Sequence, residues 1–176
     1  MDIAFSHVGL YVTDLDAMER FYRDLLGMTV TDRGDLGDHQ LVFLSRNPAE
    51  HHQIVLVTGR PAEQRFTTVN QISFRVAGIA ALREFLERLQ KLEGAAPAPV
   101  THGNAVSLYF YDPEGNRIEL FLDTQWYCEQ PLRVPIDLAQ SDDEILRGIE
   151  ELCRRQPGFK PRDEWMREMT RRMGLS

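Results

Sequence analysis

Residues 5–27, FSHVGLYVTDLDAMERFYRDLLG, decide the fold once they are set beside residues 71–94, QISFRVAGIAALREFLERLQKLEG. Each begins with an alternating run, HVGLYV at 7–12 and QISFRV at 71–76, and alternation of apolar and polar side chains marks a half-buried strand. Each then turns into an amphipathic helix. In the first, Thr13 or Asp14 is the expected cap, Leu15, Met18, Phe21, Tyr22, Leu25 and Leu26 supply the apolar stripe, and Gly27 is the stop. In the second, Gly94 is the expected stop. The first helix is followed by three short strand-like runs, MTVTDRG, QLVFLSR and QIVLVTG, separated by the turns GDLGD and NPAEHH. The second is followed by PVTH, AVSLYFYD and RIELFLD, with DPEGN as a turn.

The order βαβββ is therefore used twice. HVGLYV and QISFRV lie 64 residues apart, and the turn dipeptides Asn47-Pro48 and Asp112-Pro113 lie 65 apart, so internal duplication is the economical reading. The predicted class is α+β: paired βαβββ modules, about residues 1–60 and 69–124, forming a concave mixed sheet around a cavity. A helical C-terminal extension over 125–176 completes the chain. There, WYCEQPLRVPIDL is extended and punctuated by proline, SDDEILRGIEELCRR has a cap at Ser141 and an acidic first turn, and PRDEWMREMTRRMG is a second helix. Trp126, Phe159 and Trp165 are too apolar for a solvated tail and predict packing on the core or on a partner subunit. On the helix of the second module, Arg83-Glu87 and Glu84-Arg88 are spaced for i,i+4 pairs on a solvated face.

Composition narrows the function. With Lys+Arg 20 against Asp+Glu 27, the net charge is -7, the wrong sign for a protein whose main partner is a phosphate backbone, so no nucleic acid is expected. No run approaches the roughly 18 apolar residues of a membrane helix, and the N-terminus has no basic segment ahead of an apolar run; a cytoplasmic protein without a membrane partner is expected. Cys128 and Cys153 form no CxxC pair and read as ordinary thiols.

His7, Gln71 and Glu119 occupy related places in the two modules, and a duplicated fold brings related places together about its pseudo-twofold axis. The counterpart of Glu119 in the first module is Val55. Imidazole, amide oxygen and carboxylate are all acceptable ligands for a divalent metal, and three of them leave positions open for substrate and oxygen.

The segment VTHGNAVSLYFYDPEGNRIE, residues 100–119, resembles the motif of extradiol ring-cleavage dioxygenases in the vicinal oxygen chelate superfamily: His, five residues, Leu-Tyr, two residues, Asp-Pro-x-Gly and then Glu. HHQIVLV at 51–57 is similar to that family's middle strand. The resemblance covers residues 1–123 and implies a single-domain extradiol dioxygenase acting on a catecholic or related vicinal-diol aromatic with O2. It implies Glu119 as a metal ligand with His7, Gln71 as the third ligand, and His52 as the acid/base residue beside the substrate. It also implies that Tyr109 hydrogen-bonds a substrate hydroxyl or an oxygen-derived group and that His102 lies near the diol. The implied cofactor is Fe(II), with Mn(II) or another divalent metal as alternative, and the implied assembly is a homodimer. Imidazole suits the role given to His52, since an unperturbed pKa of about 6.5 lets it accept and return a proton. Position 71 departs from the pattern, because the family usually has His where this chain has Gln, and an amide oxygen weakens the ligand field for Fe(II). Two other functions remain open on this scaffold: an oxygen-independent isomerase, epimerase or lyase, and a metal-free binding protein for an aromatic compound.

Overall fold

The structure of the chain, a computed structural model, describes residues 3–64 and 66–175. Its backbone divides into two compact units, one built from residues up to Asn70 with Asp112–Asn116, the other from Gln71–Tyr111 and from Arg117 onward.

In the first unit, β1 (Val8–Val12) leads into α1 (Leu15–Arg20), which continues as a π-helical turn over Phe21–Leu25. Three strands follow, β2 (Thr29–Leu36), β3 (His39–Ser45) and β4 (Ile54–Thr58), and the sheet order is β1-β4-β3-β2. Asp14 caps α1, its carboxylate accepting from the amide of Ala17 at 2.9 Å. Alternation sends Leu10, Val12, Val42, Leu44, Ile54 and Leu56 to one buried face, against which α1 packs; Met18 of α1 and Tyr22 of the π-helical turn are fully buried. The expected turn GDLGD is shorter than predicted: β2 runs on through Leu36, which pairs with His39, leaving only Gly37 and Asp38 as the loop. A two-residue hairpin needs positive φ, and Gly37 supplies it at 61°.

The second unit repeats the pattern with β5 (Ile72–Arg75), α2 (Ile79–Leu89), β6 (Ala98–Thr101), β7 (Ala105–Tyr111) and β8 (Arg117–Asp123). Within these strands the order is β6-β7-β8-β5, and β5 pairs with β8 in parallel as β1 does with β4. Ile118, Leu120, Val106, Leu108 and Phe110 are buried on the side covered by Ile79, Leu82 and Leu89 of α2. The opposite face of the same strands carries Ser73, Ser107, Tyr109 and Glu119. α2 stops at Leu89 rather than at Gly94, because Leu89 is its last buried residue and the following Gln90, Lys91, Leu92 and Glu93 are exposed, with no surface left to cover.

The extension packs on this second unit. β10 (Val134–Pro135) pairs with β6, β9 (Trp126–Tyr127) pairs with β11 (Lys160–Pro161), and α3 (Asp142–Arg154) and α4 (Arg162–Met173) follow. Ser141 and Glu144 close a reciprocal capping box at the start of α3. Arg83 leaves the solvated face expected for it: its guanidinium donates to the carbonyls of Leu138 and Gln140 and pairs with Asp142. Cys128 and Cys153 are both buried, and a Cβ placed on Gly103 would lie 2.6 and 2.8 Å from their sulfurs. Among the described residues, no helix is long and apolar enough to cross a membrane.

Candidate functional site

Glu119 sits in the middle of β8, opposite Ser73 on β5 and Tyr109 on β7. Its side chain is 9% exposed, and burying a carboxylate is costly unless its oxygens are bonded. Both are: Oε1 accepts from the Ser107 hydroxyl at 2.7 Å, and Oε2 accepts from the Ser73 hydroxyl at 2.5 Å and from the Gln71 amide at 2.7 Å. Ser73 and Ser107 were not singled out from sequence. The available signal was period two, since Ser73 is two residues beyond Gln71 and Ser107 two before Tyr109, which puts each on the same face as its neighbour.

Beside this carboxylate, His102 follows β6. Its Nδ1 lies 2.6 Å from the Leu132 carbonyl, which can only accept, so Nδ1 carries the proton. In the neutral ring Nε2 is then an acceptor, and it meets the Tyr109 hydroxyl at 3.0 Å. Burial first, and the neighbouring Glu119 carboxylate second, push the Tyr109 phenol up to about 12, so it is a protonated donor at neutral pH. His102 Nε2 is also 3.9 Å from Glu119 Oε1. Two guanidiniums approach the Tyr109 ring, that of Arg117 at 5.3 Å and that of Arg133 at 5.4 Å from its centre.

The first unit holds the remaining candidates. The His7 and His52 rings are 4.3 Å apart, Phe43 stands edge-on to His52 at 5.2 Å, and the Nδ1 atoms of His51 and His52 are 2.9 Å apart. Burial, with the neighbouring His7 and His51, holds His52 below the ordinary histidine range, so its imidazole is neutral at pH 7. Val55 pairs with Gly9 and Phe43, as Glu119 pairs with Ser73 and Tyr109, in line with the duplication.

The DPEGN turn does more than connect two strands. Asp112 accepts from the amides of Glu114 and Asn116, and the Glu114 carboxylate accepts from the amides of Thr13 and Asp14 at 2.6 and 2.8 Å and from Arg60 at 3.1 Å. This turn thus fixes the entry to α1.

The metal-ligand candidates divide between the units, His7 in the first and Gln71 and Glu119 in the second. Among the described residues, no three His, Cys, Asp or Glu side chains gather to hold a metal, so a three-ligand set depends on the amide of Gln71. That amide presently turns nitrogen to Glu119 and oxygen to Arg117, 3.2 Å away. A buried carboxylate held by neutral donors suits a divalent cation, and rotating the amide by a half-turn presents its oxygen beside Glu119; the residues fit a metal on that condition.

The family described as the glyoxalase/bleomycin resistance protein/dioxygenase superfamily matches residues 4–120. Biphenyl-2,3-diol 1,2-dioxygenase 2 of Rhodococcus globerulus is 32% identical over 122 residues, which cover 68% of this chain and 62% of that protein, so the chain spans less than two thirds of that relative. A probable lactoylglutathione lyase of Synechocystis sp. is 25% identical over 119 residues, covering 65% of this chain and 91% of the relative. Among solved structures, a glyoxylase/bleomycin resistance protein/dioxygenase domain from Frankia sp. EAN1pec is 27% identical with a TM-score of 0.59, covering 70% of this chain and 99% of that one. Fosfomycin resistance protein FosX from Listeria monocytogenes, complexed with Mn(II) and sulfate, is alike in fold at 24% identity and a TM-score of 0.56, covering 70% and 95%. The matched residues take in both βαβββ modules, and the chain belongs to the glyoxalase/bleomycin resistance protein/dioxygenase superfamily.

Proposed function

We propose that this protein is an extradiol-type ring-cleavage dioxygenase, working in the cytoplasm as a homodimer on a catecholic or related vicinal-diol aromatic with O2. The observation that carries the reading is the His102–Tyr109 pair beside Glu119: a phenol held protonated and an imidazole with one nitrogen bare can bind a diol hydroxyl and relay its proton. The 32% identity to a diol dioxygenase supports it. His7, Gln71 and Glu119 would hold Fe(II), or Mn(II) or another divalent ion in its place. A ferrous ion held there would supply a redox-active Lewis acid with open positions for the diol and dioxygen. His52, neutral at pH 7, takes a proton from a diol hydroxyl and returns it. Tyr109 and His102 orient the diol, and Ser73 and Ser107 keep the Glu119 carboxylate aimed.

The test is oxygen uptake with absorbance scans, using anaerobically Fe(II)-reconstituted protein, a panel of catechols and the Glu119→Ala variant. Oxygen consumption with a yellow ring-opened product, lost in the variant, is expected. Gln71 supports a second reading, an oxygen-independent isomerase or lyase, and the lyase relative at 25% identity agrees with it. Metal binding without oxygen uptake would select that reading, and failure to bind any metal would select a metal-free binding protein for an aromatic ligand. A solution mass of one 20.3 kDa chain would overturn the homodimer.

A further inference from the structure

Arg133 belongs to the extension, beyond the residues 4–120 that the family match covers. Its backbone is pinned on both sides. The Leu132 amide donates to Gln130 Oε1, the Leu132 carbonyl accepts from His102, and Val134 pairs with Thr101 of β6. From that anchored position the guanidinium reaches the Tyr109 ring, 5.4 Å from its centre. Among the described residues it has no salt-bridge or hydrogen-bond partner. Arg60, Arg75, Arg83 and Arg162 each pair with a carboxylate in this chain of net charge -7, whereas Arg133 shows no ion-pair partner among the described residues and lies against an aromatic ring. A guanidinium is always charged and offers a planar fork of N–H donors that matches the two oxygens of an acidic group. Contact with an aromatic ring leaves that fork open. Arg117, on the same sheet face, adds a second cation within 5.3 Å of the same ring, while its own fork is engaged with Gln71.

We propose that the molecule bound beside Tyr109 and Glu119 carries an acidic group, a carboxylate or phosphonate, and that Arg133 of the extension receives it. This deepens the dioxygenase reading by giving the aromatic diol an acidic side chain, and it rests on that reading only in placing the substrate at this site. The extension is then a specificity element, adding beside Arg117 of the second module a second cation whose fork is not engaged with Gln71.

The test is isothermal titration calorimetry under nitrogen, with and without added Mn(II), on wild type, Arg133→Gln and Arg133→Lys. The probes are catechol, 3,4-dihydroxyphenylacetate, phenylacetate and phenylphosphonate, and thermal melts check that each variant is folded. Wild type is expected to prefer 3,4-dihydroxyphenylacetate to catechol at least tenfold. Arg133→Gln should erase most of that preference, and Arg133→Lys, which keeps the charge without the fork, should retain part of it. Whichever of phenylacetate and phenylphosphonate loses more in Arg133→Gln identifies the acidic group. Equal loss for catechol and the acidic diol, or no preference in wild type, overturns the proposal. Arg133-dependent binding of phenylacetate or phenylphosphonate without binding of either diol would keep the acidic-group inference and overturn the diol reading instead.

Discussion

Glu119 is a buried carboxylate whose charge is offset by three neutral donors, Gln71, Ser73 and Ser107, which makes each of them worth more than a surface hydrogen bond. Ser107 is itself fully buried, so water cannot easily replace it. Ser107→Ala is expected to lower stability by about 1.5–3 kcal/mol in urea unfolding, the range for a hydrogen bond to a charged group, and to weaken ligand binding at the same site. A change within error would show that Glu119 relaxes toward another donor. The two thiols give a pH prediction. Burial, then the neighbouring Cys128, pushes the Cys153 thiol up to about 12, and burial also raises that of Cys128. The folded chain therefore keeps protons that the unfolded chain releases from about pH 9 upward. Stability from this pair is complete below pH 9 and falls as pH rises toward 12. Urea midpoints measured from pH 7.5 to 10.5 should decline, less so in Cys153→Ala, and native protein at pH 8 should react with a thiol reagent far more slowly than protein in denaturant.

At the scale of elements, the turn 112–116 and the start of α1 form one structural unit across about a hundred residues of sequence. Glu114 satisfies two amides at the head of α1 and neutralises Arg60, and both side chains of that pair are about one-tenth exposed, at 10% and 11%. Removing one member of a buried pair leaves the other charge without compensation. Glu114→Ala is expected to cost about 3–5 kcal/mol, read from chemical unfolding, whereas replacing Glu93, exposed beyond the end of α2, should change little. The turn itself was legible, because Asp, Pro, Gly and Asn are turn formers; its role at α1 was not, because no local pattern reveals a partner so far along the chain. The end of α2 shows the complementary case. Apolar periodicity continues to Leu92, but only the tertiary surface determines that burial finishes at Leu89.

Across the whole molecule, the extension is part of the second unit rather than a tail. It adds β10 to the sheet, fixes the His102 tautomer through Leu132 and buries Cys128, Leu138, Ile145, Ile149 and Cys153. Since burying an aliphatic side chain contributes about 1.5–3 kcal/mol, truncation after Thr124 should cost several kcal/mol, give aggregated or poorly cooperative material in light scattering and urea unfolding, and abolish ligand binding. A truncated chain as stable as the full one would refute this. The sequence by itself determined the duplicated βαβββ order, a helix cap at Thr13 or Asp14 and the Ser141 cap, because strand alternation and capping act within a few residues. The tertiary structure alone decided that Ser73 and Ser107 hold Glu119, that Gln71 turns its amide nitrogen to that carboxylate, and that Arg133 arrives beside Tyr109. Those contacts depend on strand register and on the pairing of β10 with β6, which bring together residues that no local spacing relates.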